Sequence, residues 1–409
     1  MATNTFKTLN DGDITREALR ILKNANGSLK AVNRQYDARF GATGAKNGGT
    51  LNIRLPNRFS VTTGRTATTG GDNTTETSTA LVVATQKHVS MGFFSSELTL
   101  SLDDFSARYL KPAMSVLAST ISADVCVAQQ SAFANYVGTP GTTPSSFLTY
   151  SQAGERLDWQ TAPRDGNRVV VMSPTAMAAT VDAQKGLFHS GQAIASQYES
   201  GVMEAMTGFN FQMDQSIQTL TAGARNTAYT THGTEASVHT NGTAVIAVIT
   251  GANAMVAGDQ FTLAGTFEVN PDTKQSTGIL KVFTVAAAYA GGAGNITVSQ
   301  TLYYTGPYTN FVSTGTGGRL PASTTLVFIG TASTAYPRNL AYHRDSTVLA
   351  TADLELPGGV DMASRANMDG LSLRFVRQYD ATTDNFLARF DILYGVKVVR
   401  PEWGVVVYG

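Results

Sequence analysis

The chain has 409 residues, with 30 basic and 30 acidic side chains and therefore no formal net charge. That balance excludes a dedicated nucleic-acid binder, which shows a strong basic excess, and a hydrophobic content of 42% excludes intrinsic disorder. Charged residues make up only 15% of the sequence, below the roughly one quarter usual for soluble domains, so much of the surface is expected to be covered by copies of the chain itself.

The length predicts two or three domains. The lone cysteine, Cys126, makes no intrachain disulfide and is expected to be a buried small hydrophobe. The opening MATNTFKTLN lacks the apolar core of a secretory signal, so none is expected. No run of about 18 apolar residues is present to span a membrane.

Residues 1–47 read as a polar, basic arm, and residues 1–60 hold ten Lys and Arg against four acids. A short helix is predicted over 13–22, with Ile14, Ala18, Ile21 and Leu22 as its apolar face and Asn26-Gly27 as its end. Asp13, Arg16 and Arg20 lie on its polar side. The local positive excess suits phosphate or an acidic protein, and a solvated terminal arm explains it equally well.

Residues 48–92 predict a long, polar β-hairpin. Leu51, Ile53 and Leu55 alternate with Asn52 and Arg54 at strand period. Gly70-Gly71-Asp72-Asn73 forms the tip, and Leu81-Val82-Val83 starts a return through His88, Val89 and Met91. Such a hairpin is marginal alone. A neighbouring subunit is the expected support, with Arg54, Arg58 and Arg65 as contact candidates.

Residues 101–136 predict the longest helix. Ser101 is its N-cap and Asp104 its reciprocal partner, while Asp103 and Asp104 favour the positive end of the dipole. Leu110, Met114, Leu117, Ile121, Val125, Ala128, Ala132 and Tyr136 fall on one stripe, with Ser, Thr, Gln and Asp opposite. Pro112 either kinks this helix or marks its real start. From 112 to 136 it would run about 37 Å, and Gly138, Pro140, Gly141 and Pro144 stop it. Taken alone, the stretch also fits a core helix of an enzyme.

A mixed α+β body follows: a helix over 151–159, a turn at 163–166, a buried strand at 168–172 and a helix opened by Ser173-Pro174. A further helix is predicted over 193–206, then Gly208 and a strand over 209–213. The composition shifts near Thr221. Residues 221–337 carry eight charges in 117 residues and fifteen glycines. Strands are predicted at 245–250, 260–263, 279–285, 296–302 and 326–329, with turns at Asn270-Pro271 and Asp272-Thr273. This reads as an all-β barrel or sandwich inserted at 222–336 and able to fold alone. From Asn339 the α+β style resumes.

Several phrases carry a family resemblance. Asn339-Leu340-Ala341-Tyr342-His343-Arg344, Ala350-Thr351-Ala352-Asp353-Leu354-Glu355-Leu356-Pro357-Gly358-Gly359-Val360, Val376-Arg377-Gln378-Tyr379-Asp380 and residues 391–402 (DILYGVKVVRPE) are similar to coat proteins of short-tailed bacteriophages. So are residues 98–105 (LTLSLDDF), 257–265 (AGDQFTLAG) and 270–278 (NPDTKQSTG). The likeness covers nearly the whole chain in order. It implies an α+β fold, the major capsid fold of tailed phages and herpesviruses. Its parts would be an N-terminal arm at 1–47, an extended loop at 48–92 and a peripheral domain at 93–150, completed by C-terminal strands. An axial domain would follow at 151–221 and 337–409, interrupted by the β barrel at 222–336. The spine helix would bury Leu110, Met114, Leu117, Ile121 and Val125.

The resemblance implies a major capsid protein of the virion, assembled in the host cytoplasm as hexamers and pentamers of an icosahedral shell around double-stranded DNA. The partners would be a scaffolding protein, a portal protein and the packaged DNA, with no membrane. Assembly candidates are Asp13, Arg16, Arg20, Arg54, Arg58 and Arg65, with Asp272 and Lys274 in the insertion. The insertion departs from the family in being so poor in charge.

No cofactor, metal or catalytic set is expected. His88, His189, His232, His239 and His343 are scattered, and His232 and His239 read as surface histidines. Gly315-Thr316-Gly317-Gly318 lacks the Lys-Ser/Thr and helix of a phosphate loop. No nucleophile elbow is present. The triplets at Asn73, Asn241 and Asn295 lack a secretion context. Two rival readings, an adhesin-type or other β-rich virion protein and a hydrolase with a β accessory domain, predict a secretion signal and a nucleophile or metal cluster respectively.

Overall fold

Helical spacing and strand alternation resolve into two units in the computed structural model, which describes residues 11–25, 27–35, 50–59, 61, 63–65, 76–94, 109–183, 207–225 and 229–409. The first unit combines Met1–Ile53, Thr79–Val125 and Val348–Lys397. Its sheet runs in the order Asn33–Gln35, Thr347–Ala352, Asn385–Val398, Leu371–Asp380, Met362–Met368, and Thr85–Phe94 also pairs with Asn385–Val398. The helix Asp11–Ala25 lies on Met362–Met368 and Leu371–Asp380. A helix on a sheet buries a wide face. Here Thr15, Ala18, Leu19 and Leu22 are buried, and Ile14 and Ile21 of the expected face are only half-buried. The helix ends at Ala25, just before Asn26-Gly27 as expected, and a separate short helix, Gly27–Ala31, follows.

The 48–92 hairpin is divided. Thr50–Arg54 pairs with Ser78–Val82 as a two-stranded ladder, and the expected tip at 70–73 lies outside the described residues. The stretch through His88, Val89 and Met91 does not return along the hairpin; it pairs with residues 385–394 of the six-stranded sheet. A long partner inside a multi-stranded sheet outweighs a two-stranded ladder that is marginal alone. A Cβ on Gly395 would stand 2.2 Å from the Val82 carbonyl oxygen, so the close passage of these two segments requires glycine.

The long helix spans Lys111–Ala132, about 33 Å. Pro112 sits in the first turn of this α-helical span, and Tyr109 and Leu110 directly before it are π-helical, so helical backbone precedes the proline. Ser101, Asp103 and Asp104 lie outside the described residues. Leu110, Met114, Leu117, Ile121 and Val125 are all at most 2% exposed, as the stripe requires. Beyond Val125 the stripe fails: Ala128 and Ala132 are half-buried, and Cys126, Gln129 and Gln130 are buried instead. The polar side is not a solvent face either, since Ser122 is buried and Gln130 Nε2 donates to the carbonyls of Gln218 and Arg338. Tyr136 belongs to the strand Asn135–Val137, not to the helix.

The second unit combines Arg54–Ser78, Cys126–Thr347 and Val398–Gly409. Its five-stranded sheet runs Asn135–Val137, Gly404–Val407, Asn339–His343, Arg168–Met172, Asn210–Met213. The outer pairs are parallel and the inner pairs antiparallel. The helices Phe147–Trp159 and Pro174–Ala183 give Tyr150, Leu157 and Met177 to the core of this sheet. The first of them starts earlier than the expected 151, because Ser146 caps it by accepting from Leu148 N. Ser173 Oγ accepts from Ala176 N ahead of Pro174, as expected. The helix expected at 193–206 lies outside the described residues.

Residues 229–328 form two further sheets: Gly294–Leu302, Thr243–Thr250, Thr230–Thr231, and Ser276–Thr284, Gln260–Val269, Phe311–Ser313 with Leu326–Phe328. They share a core of Tyr229, Ile246, Phe261, Phe283, Ile296 and Phe311 among others. The strand at 260 runs on to Val269 past a shift in register, and Phe311–Ser313 was not legible from alternation in so short a run. Thr219–Thr221 pairs antiparallel with Ala335–Pro337, which brings the two ends of this segment together.

Leu117→Ala should destabilise the unassembled subunit by about 2–5 kcal/mol in chemical denaturation. A loss near zero would place the stripe at a surface.

Candidate functional site

The charge-poor segment places half of its few charges inside. Of its eight charged residues, Arg225, Asp259, Glu268 and Lys281 are buried. Asp259 accepts from Arg225 Nη1 at 2.9 Å, from Val256 N at 2.9 Å and from Gly223 N at 3.2 Å. Arg225 Nη2 donates to the carbonyls of Ile329 and Gly330 at 2.8 and 3.0 Å. Burial pulls the Arg225 guanidinium down and the Asp259 charge pulls it back up. Beside this pair, Arg338 Nη1 donates to the Gly258 carbonyl at 2.5 Å and the Gln130 carbonyl at 3.3 Å. Gln260 Nε2 and Thr284 Oγ1 both donate to the carbonyl of Phe133, at 3.2 and 2.7 Å. Glu268 accepts from Gln160 Nε2 and faces Arg156 at 3.7 Å. These contacts join the segment to residues 130–160 through buried polar groups, which stabilise only when every partner is present. Sequence reasoning missed all of them; the sole signal was that charges survive in a segment that otherwise avoids them.

The assembly candidates are divided between the two units. Asp13 lies in the helix Asp11–Ala25. Arg16 and Arg20 are exposed on that helix, but Arg20 is held by Glu17 through Nε at 2.8 Å and Nη2 at 2.6 Å. The Arg20 hydrogen bond in turn keeps the Glu17 carboxyl below its ordinary range. Arg54 faces Glu76 at 3.7 Å with both side chains largely in water, a pair worth little. Arg58 turns inward, half-buried, to Glu402 at 3.6 Å. Arg65 is exposed. Asp272 is exposed on a turn that Asn270 Oδ1 organises by accepting from the amides of Asp272 and Thr273. Lys274 sits at φ +59° on the same turn and donates its ammonium to the Pro271 carbonyl at 2.5 Å.

Among the described residues no cluster of three His, Cys, Asp or Glu side chains could hold a metal ion. His239 corrects the surface reading: it is buried between the carbonyls of Val245 and Leu302, at 2.9 and 3.0 Å, and packs edge-on against Tyr304 and Phe311. His232 is half-buried and its Nδ1 accepts from Thr234 N. His343 is buried, with Nε2 donating to Asp165 at 3.0 Å and Nδ1 accepting from Asp345 N. His189 lies outside the described residues.

In the first unit, Asp391 is buried on the central strand Asn385–Val398. Its Oδ2 accepts from Arg374 at 2.8 Å, and its Oδ1 from Arg389 at 2.7 Å and Gln86 at 3.2 Å. Burial by itself raises this carboxyl, but the two guanidinium groups outweigh it and hold the carboxyl below its usual range.

The model of the family described as P22 coat protein, gene protein 5, matches residues 30–409. No match is found among the curated proteins. Among solved structures the chain is similar to one from Mycobacterium phage Che8, with 11% identity, 93% of this chain and 90% of that chain covered, and a TM-score of 0.47. It is similar to the capsid of cyanophage P-SCSP1u at 10% identity, with 88% and 83% covered and a TM-score of 0.44. It is also similar to the mature capsid of bacteriophage PhiM1 at 9% identity, with 100% and 89% covered and a TM-score of 0.42.

Asp391 generates a pH test. Its carboxyl is lowered in the folded state, so its stabilisation is complete above its unfolded value, about pH 4, and is lost as pH falls through the lower folded value. Asp391→Asn should therefore be less stable than wild type at pH 7, and the gap should narrow steadily below about pH 4. A gap that stays constant down to acid unfolding would contradict the role given to Asp391.

Proposed function

Because the chain belongs to the P22 coat protein family, it is the major capsid protein of a bacteriophage virion and forms its icosahedral shell, and we propose here how its parts divide that work. The family match over residues 30–409 in one span carries the reading, and it supports a shell protein over the adhesin-type and hydrolase alternatives.

The polypeptide takes the capsid fold of tailed phages. The first unit, with its long, largely antiparallel sheet and the first half of the Lys111–Ala132 helix, supplies the peripheral domain. The five-stranded sheet of the second unit is the axial domain. Residues 222–336 are the inserted β barrel, entered and left through the paired strands Thr219–Thr221 and Ala335–Pro337. The Thr50–Arg54 and Ser78–Val82 ladder is the base of an extended loop that lies on a neighbouring copy. Copies join as hexamers and pentamers by many weak contacts that symmetry repeats and closes. The work is assembly and not catalysis.

Arg16, exposed on the helix Asp11–Ala25 with no ion-pair partner among the described residues, faces a scaffolding protein or the packaged DNA inside the shell. A portal protein completes the set of partners. Asp272 and Arg65 are the exposed charges offered to neighbouring copies.

Electron microscopy of particles formed with the phage's own assembly partners tests this division. Wild type should give closed shells. Arg16→Glu with Arg20→Glu should leave the subunit folded and lower the yield of DNA-filled particles several-fold; an unchanged yield would remove the arm from this role. Replacing residues 222–336 by a short Gly-Ser linker should preserve helical signal and lose shell-size fidelity, while the isolated 222–336 fragment should show a β-type circular dichroism spectrum and a cooperative transition. Wild-type shells from the deletion, or a disordered fragment, would refute the barrel's role or its independence.

A further inference from the structure

In the β-rich segment, the ladder that joins Thr243–Thr250 to Gly294–Leu302 breaks register between Thr243 and Val245: Thr243 faces Leu302, but Val245 faces Thr297. The ring of His239 bridges the two strands beside that break. It is 3% exposed, its Nδ1 lies 2.9 Å from the Val245 carbonyl oxygen, and its Nε2 lies 3.0 Å from the Leu302 carbonyl oxygen. A carbonyl oxygen only accepts, and a neutral imidazole has a single N–H. One nitrogen of a neutral ring would therefore turn its lone pair on a carbonyl oxygen, at 2.9 or 3.0 Å. The third polar neighbour does not relieve this. Thr243 Oγ1 stands 3.3 Å from Nδ1, but its hydrogen goes to the Thr240 carbonyl at the shorter distance of 2.8 Å, so it too presents a lone pair to the ring.

Few ionisable groups surround the ring. Thr243–Thr250, Gly294–Leu302 and Phe311–Ser313 carry none. Glu235, four residues before His239, is turned to Thr316 N at 2.9 Å. Tyr304 packs edge-on against His239, and the Arg319 guanidinium lies over the Tyr304 ring at 5.7 Å. Tyr303 and Tyr308 pack on each other. Among the described residues no carboxylate comes within 4.0 Å of the His239 nitrogens.

We infer that His239 holds a proton on both ring nitrogens in the folded subunit and clips the two strands together as an imidazolium, a pH-sensitive joint in the β-rich segment. Burial opposes the charge. Two charge-assisted hydrogen bonds, each about twice as strong as a neutral one, and the removal of a lone-pair clash outweigh it. The sign of the pH dependence follows. Above about pH 6.5 the unfolded histidine is neutral, so the folded chain holds one proton more. The clip is complete below that value, and its stabilisation is lost as pH rises until the ring gives up its second proton.

Nitrogen NMR of the histidine rings in the full-length, unassembled subunit tests this at about pH 7.5, where an exposed histidine is mostly neutral. His239 should give two protected N–H signals that His239→Gln lacks. His232 and His343 each use Nδ1 to accept a backbone amide, so neither gives more than one. One protonated and one lone-pair nitrogen at His239 would overturn the proposal. Chemical denaturation from about pH 6 to 9 gives a second reading. The advantage of wild type over His239→Gln should shrink by up to about tenfold in the unfolding constant for each pH unit above about 6.5. An advantage that stays constant over this range would contradict the clip. If His239→Gln does not fold, wild type still decides: the absence of any ring with two protected N–H signals sinks the proposal.

Discussion

The strand Asn339–His343 pairs antiparallel with Arg168–Met172 on one side and with Gly404–Val407 on the other, and every residue of these three strands is buried. Strands covered on both faces need apolar side chains on both, which the runs Val169-Val170-Val171 and Val405-Val406-Val407 supply. Of the polar exceptions Arg168, Asn339 and His343, Arg168 is satisfied by Asp158 Oδ1 at 2.8 Å and by the carbonyls of Ala162 and Pro163. Gly404 must be glycine because a Cβ there would lie 2.2 Å from the ring of Phe133. Phe133 in turn follows the Lys111–Ala132 helix, and its carbonyl receives Gln260 and Thr284. The helix end, the central sheet and the β-rich segment therefore converge on one small region.

That pairing also dictates the chain's excursion. Arg168–Met172 and Asn339–His343 must lie side by side, so the chain, after adding Asn210–Met213 to the sheet, has to leave it and return at Asn339. The Thr219–Thr221 and Ala335–Pro337 ladder closes the excursion at its neck. Behind the neck, the Arg225–Asp259 pair and Arg338 fix the segment through charges that water does not reach. Buried pairs of this kind add little net stability against an apolar replacement, but they penalise any arrangement that separates them. In a subunit that must present one shape to many neighbours, such specificity matters more than a few kcal/mol.

Much of this was legible in the sequence where one signal acted alone. The strand Arg168–Met172 is a short apolar run between a turn and a capped helix, and Ser173-Pro174 marks the next element without ambiguity. The stripe from Leu110 to Val125 follows helical spacing, and the drop in charge at Thr221 marks the segment that carries two sheets. Errors arose where tertiary pairing overrode local preference. Tyr136 continues the helical spacing, yet its backbone is taken by Val406. The Thr85–Phe94 strand alternates like a hairpin return, yet its partner lies some 300 residues further on, at residues 385–394. The Arg58–Glu402 and Arg156–Glu268 pairs were invisible because their members come from distant stretches, and no spacing links them. His239 looked like a surface residue because a Thr-rich loop surrounds it in sequence, while in space it lies between two carbonyls and two aromatic rings.

Hydrogen exchange of the full-length subunit tests the central role of the Asn339–His343 strand most directly. If that strand and Gly404–Val407 hold the second unit together, the amides of Ala341, Tyr342, Val405 and Val406 should be among its slowest and should exchange only when the whole unit opens. They should open no sooner than those of the Phe147–Trp159 helix. Rapid exchange at these four amides while the helix stays protected would contradict the account.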